Sequence, residues 1–337
     1  MSDCWCPNPF SHMTIVEGGD VHLCLCPWIA PVGNLLQDSP LALWNSSEAQ
    51  YQRLAALRGQ FGKYCSRCPH VPGPRGFIVD GARPSPVQLS PARIGMLKLD
   101  YDRTCRLACG TCRNKPTFSD QNTVSRVQEA VISSKILEKT DCLYLTGAGD
   151  PFDSPALSSL LHRLPKIVDS NQLPKIILHT HGLTFREKWQ EHERIRDRVK
   201  EVRVSFDDSL AWRMTMYSED VMVNRGGSWN CLMDNLLFIG GLRPQVALRL
   251  YYVVQANNFT GMSRALEVTK RTHAVAIEFL ALENWGTYSE VDYANRAVHQ
   301  PLHPKHEDLL KTLEDVRQAD STKMVSGTVF SIEGAPR

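Results

Sequence analysis

From about residue 95 onward, short apolar runs alternate with longer stretches whose apolar residues recur at helical spacing. Six runs, MLKLDYD, CLYLTGAG, KIILHTHG, EVRVSFDD, VALRLYYVVQ and AVAIEFLAL, have the length of strands, and most are rich in β-branched or aromatic residues. Between them VSRVQEAVISSKILEK, PALSSLLHRL, LTFREKWQEHERIRDRV and MSRALEVTKRT carry the spacing of amphipathic helices. Such alternation builds βα units around a parallel sheet. It predicts an α/β fold, a partial (β/α)6 TIM-like barrel open on one side. A doubly wound sheet shares the same alternation, because periodicity does not determine closure.

The cysteines divide the chain. Of eleven, six lie in the first 68 residues (Cys4, Cys6, Cys24, Cys26, Cys65, Cys68), three fall at Cys105, Cys109 and Cys112, and Cys142 and Cys231 stand apart. The intervening VPGPRGFIVDGARPSPVQLSPAR is rich in Pro and Gly and reads as a linker. The expected organisation is a cysteine-rich module over 1–70, a linker over 71–94, the partial barrel over 95–290 and a helical or irregular extension over 291–337. With 337 residues, 42% hydrophobic, 22% charged and a net charge of +2, the composition is that of a soluble protein without bias toward nucleic acid or membrane. The N-terminal MSDCWCPNPFSH lacks the basic start and apolar run of a secretory signal, and no later run reaches the length of a membrane span. A cytoplasmic location is expected, with no nucleic-acid or membrane partner. There, cysteines serve metal binding or redox chemistry more often than disulfides.

Cys105-Arg-Leu-Ala-Cys109-Gly-Thr-Cys112 follows directly after the first predicted strand, where parallel-sheet enzymes place their sites. Three thiolates on one loop can hold three irons of a cubane and leave the fourth without a protein ligand. A zinc site, which would want a fourth ligand nearby, and three buried thiols are the other readings. C-x3-C-x2-C in this context resembles the radical S-adenosylmethionine (SAM) superfamily. The resemblance implies a catalytic [4Fe–4S] cluster on Cys105, Cys109 and Cys112, with the amine and carboxylate of S-adenosyl-L-methionine on the open iron. Reductive cleavage then gives a 5′-deoxyadenosyl radical that abstracts hydrogen from substrate, with a flavodoxin- or ferredoxin-type protein as electron donor. Thr111 departs from the aromatic residue many members carry before the third cysteine.

Further strand ends extend the resemblance. Gly147-Ala-Gly149-Asp150 is similar to the family's GGE segment that receives the methionyl amine, with Asp150 in place of the commoner Glu; carbonyls beside glycines and a carboxylate suit an ammonium group. A Gly-Asp-Pro turn also stands without any ligand. Thr180-His-Gly182 resembles the T-N-G segment, and Ser205 and Asp207 resemble the positions that bond the SAM ribose. Asn258, with Gln255, Asn284 and Trp285, is expected to complete the adenine or substrate pocket. No residue is assigned to the chemical step itself.

The N-terminal order Cys6-Pro-Asn-Pro-Phe10, Gly19-Asp-Val-His-Leu-Cys24, Gly33-Asn34, Leu43-Trp44-Asn45 and Cys65-Ser-Arg-Cys68 resembles a SPASM module, the auxiliary iron–sulfur domain that usually follows the barrel and here precedes it. The resemblance implies one auxiliary [4Fe–4S] cluster on Cys6, Cys24, Cys65 and Cys68. Cys4 and Cys26 leave the set open, since either can replace its neighbour or both can join a second cluster. A zinc ribbon on two cysteine pairs is the alternative. The implied function is an oxidoreductase- or isomerase-type radical SAM enzyme modifying a ribosomally made peptide by cross-linking or epimerisation. Radical oxidation or epimerisation of a sugar or other small metabolite is the second reading, and a non-catalytic Fe–S or Zn scaffold or electron-transfer protein the third. Arg225-Gly-Gly-Ser-Trp229 reads as a turn with an anchoring Trp. His299, His303 and His306, interrupted by Pro301 and Pro304, read as solvated or capping residues. Cys231 reads as a small buried helical residue, and Cys142 as core.

Overall fold

The computed structural model describes residues 5–25, 29–62, 64–65, 89–146, 148–207 and 226–332. The expectations at Cys4, Cys26, Cys68, Gly147 and Arg225, and for most of the linker, lie outside the described residues. The chain divides into two compact units, Met1–Arg103 with Ser119–Ile177, and Thr104–Phe118 with Leu178–Arg337.

The first unit starts with α1 (Asn8–Ser11), β1 (His12–Val16), β2 (Asp20–His22), β3 (Gly33–Asn34), α2 (Pro40–Trp44) and α3 (Ser47–Leu57). It continues with β4 (Ile94–Asp100), α4 (Gln121–Ser133), β5 (Thr140–Leu145) and α5 (Pro155–Ile167). Its strand order is β5-β4-β1-β2-β3. β1 lies parallel to β4, with Thr14 opposite Lys98, so the cysteine-rich segment supplies a parallel neighbour to the first strand of the βα series. The hairpin to β2 is antiparallel. Ser39, Ser46, Asp120 and Ser154 cap α2 to α5 by accepting first-turn N–H groups that would otherwise be orphaned. Leu157, Leu160, Leu161 and Leu164 place one buried stripe along α5, as a 3.6-residue period requires.

Trp44 and Arg53 tie this unit together. Trp44 is fully buried, its indole N–H donates to the Pro91 carbonyl at 2.8 Å, and the Arg53 guanidinium lies 4.3 Å from the ring centroid. Arg53 donates from Nε to the Pro9 carbonyl (2.8 Å) and from Nη1 to the Leu89 carbonyl (2.7 Å). Burial draws its pKa down to about 10, since low-dielectric surroundings disfavour the charge.

The unit boundary falls inside β6 (Lys175–Thr180). The second unit then runs through α6 (Phe185–Glu191), β7 (Val199–Ser205), α7 (Trp229–Gly240), β8 (Ala247–Val254), α8 (Met262–Arg271) and β9 (Ala276–Ala281). It ends with α9 (Glu290–Arg296), α10 (His306–Ala319) and β10 (Val325–Ser326). Its order is β6-β7-β8-β9-β10, and the order is linear in both units, so the expected α/β class with an unclosed βα series is present. β10, from the C-terminal extension, adds a parallel strand beside β9. The stretch 183–199, expected as one helix, is instead α6 and a single turn at Glu193–Ile195, because His192 leaves helical geometry at φ −110°, ψ 39°.

β8 alternates strictly, and the same alternation holds in β7 from Glu201 onward and in β9 up to Leu280. Val202, Val204, Leu248, Leu250, Tyr252, Val254, Ile277 and Phe279 are wholly buried. Phe206, Tyr252, Phe279 and Phe330 form a chain of edge-to-face contacts with centroids 5.6, 5.5 and 6.3 Å apart. Parity and register put Glu201, Arg203, Ser205, Arg249, Tyr251 and Glu278 on the opposite face, with Arg203 directly across from Arg249 and Tyr251 across from Glu278. Among the described residues, no helix is long and apolar enough to cross a membrane.

The histidines of the extension depart from the solvated reading. His306 is buried, with Nδ1 3.2 Å from the Val298 carbonyl, while His303 accepts from the Lys305 N–H. His299 has its pKa lowered to about 4 by burial and, to a smaller extent, by His306 and His303, and its Nδ1 has no hydrogen-bond partner.

Trp44→Ala should destabilise the first unit by about 3–5 kcal/mol through cavity formation and loss of the stacked cation, read as a lowered denaturant midpoint. The sign at His299 is also defined. Between its unfolded pKa of 6.5 and its folded value of about 4, only the unfolded chain takes up the proton, so stability falls as pH drops through that window. With allowance for partial exposure the loss is roughly 1–2 kcal/mol. The pH dependence of urea unfolding should flatten by that amount in His299→Gln.

Candidate iron–sulfur site

The chain leaves β4 at Asp100 and reaches the cysteine loop within a few residues. The loop is closed by its own backbone, with Cys105 N–H bonded to the Thr117 carbonyl (2.9 Å) and Thr117 N–H to the Cys105 carbonyl (3.0 Å). Inside it, the Cys109 carbonyl accepts from the N–H groups of both Cys112 and Arg113 at 2.8 Å, a tight turn that brings the second and third cysteines together. Cys105, Leu107 and Cys109 are buried as one cluster, against which Cys112 and Leu183 pack. Arg113 donates from Nη2 to Cys112 Sγ at 3.2 Å. Burial acts to lower the Arg113 pKa, but it is outweighed by the charges of Cys112, Cys105 and Cys109 together with the Cys112 hydrogen bond, and the net shift is upward. One guanidinium therefore feels all three sulfurs. Three thiols on one loop, none of them in a disulfide, beside a guanidinium are a donor set that suits a thiolate-bound cluster.

The other candidates in the second unit divide by what their side chains do. Thr180 is buried, and its Oγ1 accepts from the Gly182 N–H, shaping the turn after β6. Gly182 has φ +82°, and a Cβ there would lie 2.9 Å from both Val204 and Leu232, so only glycine fits. Ser205 stands on the polar sheet face, with Oγ 3.2 Å from His179 Nε2. Asp207 and Asn258 hold backbone: Asp207 Oδ1 accepts from the Val253 N–H, while Asn258 accepts from the Gln255 N–H and donates to the Asp207 and Val253 carbonyls, all at 2.7–2.9 Å. Asn284 builds the loop after β9 by accepting from the Gly286 and Tyr288 N–H groups, and Trp285 is half-exposed.

In the first unit, the loop after β5 hangs on β4. Asp100 accepts from the Ala148 N–H (2.8 Å) and the Thr146 hydroxyl (3.3 Å), and pairs with Lys98 at 3.0 Å. Gly149 N–H donates to Thr146 Oγ1, and Thr146 itself adopts φ 56°. Asp150 is 1% exposed and accepts from the Phe152 N–H, while Asp102 accepts from Ser154, the cap of α5. Cys6, Cys24 and Cys65 are half-buried in the same unit and stand outside any disulfide. Asn8 donates to Cys24 Sγ at 3.7 Å, the Cys24 carbonyl accepts from Thr14, and Cys65 N–H donates to the Phe61 carbonyl.

Residues 4–69 match the SPASM family, described as an iron–sulfur cluster-binding domain. This segment is a SPASM module. No curated protein sequence matches the chain. Among solved structures, the chain is similar to an AdoMet-bound anSMEcpe at 16% identity and TM-score 0.48, covering 70% of this chain and 61% of that one. It is also similar to Streptococcus suis SuiB bound to S-adenosylmethionine (12%, TM-score 0.44, 70% and 50% covered) and bound to its precursor peptide SuiA (10%, TM-score 0.46, 71% and 51%). The chain thus spans about half the length of SuiB.

Two expectations about lone cysteines change. Cys231 is exposed, the third residue of α7, with its thiol 3.2 Å from the Leu183 carbonyl, and Cys142, the third residue of β5, is half-buried. In the described part of the 225–229 stretch, Ser228 caps α7 and Trp229 is buried, its ring centroid 6.3 Å from that of Phe206. Arg113 was not singled out from the sequence, although a cation next to the third cysteine is a usable signal.

Asn258→Ala should lower the stability of the ligand-free chain by about 2–4 kcal/mol, since it strands one buried N–H and two carbonyls. Thermal unfolding without SAM measures this, and an unchanged midpoint would mean that water replaces the amide.

Proposed function

We propose that the protein is a radical SAM enzyme in which Cys105, Cys109 and Cys112 hold the catalytic [4Fe–4S] cluster. The carrying observation is the self-closed cysteine loop that brings three thiols outside any disulfide onto one turn, with Arg113 donating to Cys112. The SPASM match supports an auxiliary cluster, for which Cys6, Cys24, Cys65 and Cys68 are the proposed ligands. When bound, the catalytic cluster supplies the electron that cleaves S-adenosyl-L-methionine and so produces a hydrogen-abstracting radical.

The chain's own residues have separate tasks. Arg113 offsets thiolate charge. Asp100 and Thr146 hold the backbone at Ala148 and Gly149, beside which Gly147 and Asp150 are proposed to receive the methionyl amine. Ser205, Asp207, Thr180 and Asn258 belong to the proposed nucleoside side, Ser205 by its hydroxyl and the other three by shaping the strand ends.

The substrate is proposed to be a ribosomally made peptide, cross-linked or epimerised. Support comes from the SPASM module and from the polar sheet face, where Glu201, Arg203, Arg249 and Glu278 keep only 18–28% side-chain exposure and pair with one another. Charges withdrawn this far cost more than apolar residues would, and a substrate region rich in amide and ionised groups meets such a surface without stranding its partners. A flavodoxin- or ferredoxin-type donor and a reducing cytoplasmic setting complete the proposal.

Anaerobic reconstitution with iron and sulfide, followed by dithionite and SAM, should yield 5′-deoxyadenosine by chromatography and mass spectrometry. Joint replacement of Cys105, Cys109 and Cys112 by Ala should abolish it. Replacement of Cys65 and Cys68 should leave SAM cleavage but remove peptide turnover. Absence of the nucleoside from fully loaded wild-type protein would overturn the enzyme reading.

A further inference from the structure

The loop after β9 reaches back to the cysteine loop inside the second unit. Thr287 donates from Oγ1 to the Gly110 carbonyl at 3.0 Å, across 177 residues of sequence. Tyr288 lies against the same residue so closely that a Cβ on Gly110 would come 3.1 Å from the Tyr288 hydroxyl. That hydroxyl is 3.4 Å from Gln255 Oε1, and the Arg296 guanidinium lies 5.1 Å from the centre of the Tyr288 ring. Asn284 holds the loop in shape: its Oδ1 accepts from Gly286 and Tyr288, its Nδ2 donates to the Tyr288 carbonyl, and Gly286 takes φ +89°. The loop is therefore a built strap, fastened at Asn284 and pressed on Gly110, the first of the two residues between the second and third cysteines.

We infer that Thr287 and Tyr288 are positioning residues for the metal centre, fixing the Cys109–Cys112 turn and setting the electronic surroundings of the cluster it carries. This rests on the reading of Cys105, Cys109 and Cys112 as cluster ligands. The Gly110 carbonyl belongs to the same peptide unit as the Thr111 N–H, so a hydrogen bond accepted by that carbonyl strengthens the N–H as a donor next to the sulfurs. Hydrogen bonding and solvent access near the sulfurs are among the determinants of cluster potential. The Thr287 hydroxyl on the carbonyl and the phenol end of Tyr288 against Gly110 act on both.

The test uses the full chain, reconstituted anaerobically, with Cys65 and Cys68 replaced by Ala so that one cluster is read. Thr287→Val and Tyr288→Phe are compared with the parent and with Thr312→Val, which removes a hydroxyl from an exposed site on α10. At equal iron and sulfide content, Thr287→Val should show a more negative midpoint potential and both strap variants a shifted electron paramagnetic resonance spectrum, while Thr312→Val matches the parent. If Thr287→Val fails to hold the cluster, Thr287→Ser must restore loading, and a failure to restore it overturns the inference. A loaded parent whose spectrum and potential are unchanged in both strap variants also overturns it, leaving the enzyme reading intact. A parent that loads no cluster on the triad removes the enzyme reading and this inference together.

Discussion

Strand parity in β7 to β9 governs the second unit. Successive side chains point to opposite faces, and in β8 the alternation runs unbroken from Ala247 to Val254. On one face it stacks Leu248, Leu250, Tyr252 and Val254 into the aliphatic and aromatic core; on the other it sets Arg249 and Tyr251 beside Arg203 and Glu278. A slip of one residue would put guanidinium groups into the Phe206–Tyr252–Phe279 stack, so the register is strongly specified. Parallel sheets usually read as continuous apolar runs because both faces are covered by helices. Here one face alone has that character, and the strap after β9 and the turn at Asp207 after β7 hang from strands held in this register.

In both units, strand ends are finished by side chains that accept from backbone. Asp100 and Thr146 carry the segment after β5, Asp207 and Asn258 join the ends of β7 and β8, and Asn284 shapes the strap. Each replaces a lost ladder partner with a side-chain acceptor or donor, which keeps irregular backbone ordered where chemistry has to be positioned. Arg53 does the same for three separated segments of the first unit, with Trp44 shielding its charge.

The six strands of the βα series and the cysteine loop were legible because both signals are local: apolar runs of strand length, and three thiols at short spacing. β1 beside β4 was not, since nothing in HMTIV announces a partner some eighty residues away. The strap was hidden for the same reason. Asp207 and Asn258 show a different limit, because a polar residue ending a strand has the same appearance in sequence whether it serves a ligand or an N–H group. Cys231 read as buried because helical cysteines usually are, yet its place in the first turn of α7 leaves it exposed.

The pair of bonds between Cys105 and Thr117 uses no sulfur. The closure of the loop is thus made by main-chain atoms alone, so replacing any one of its thiols leaves both bonds chemically possible.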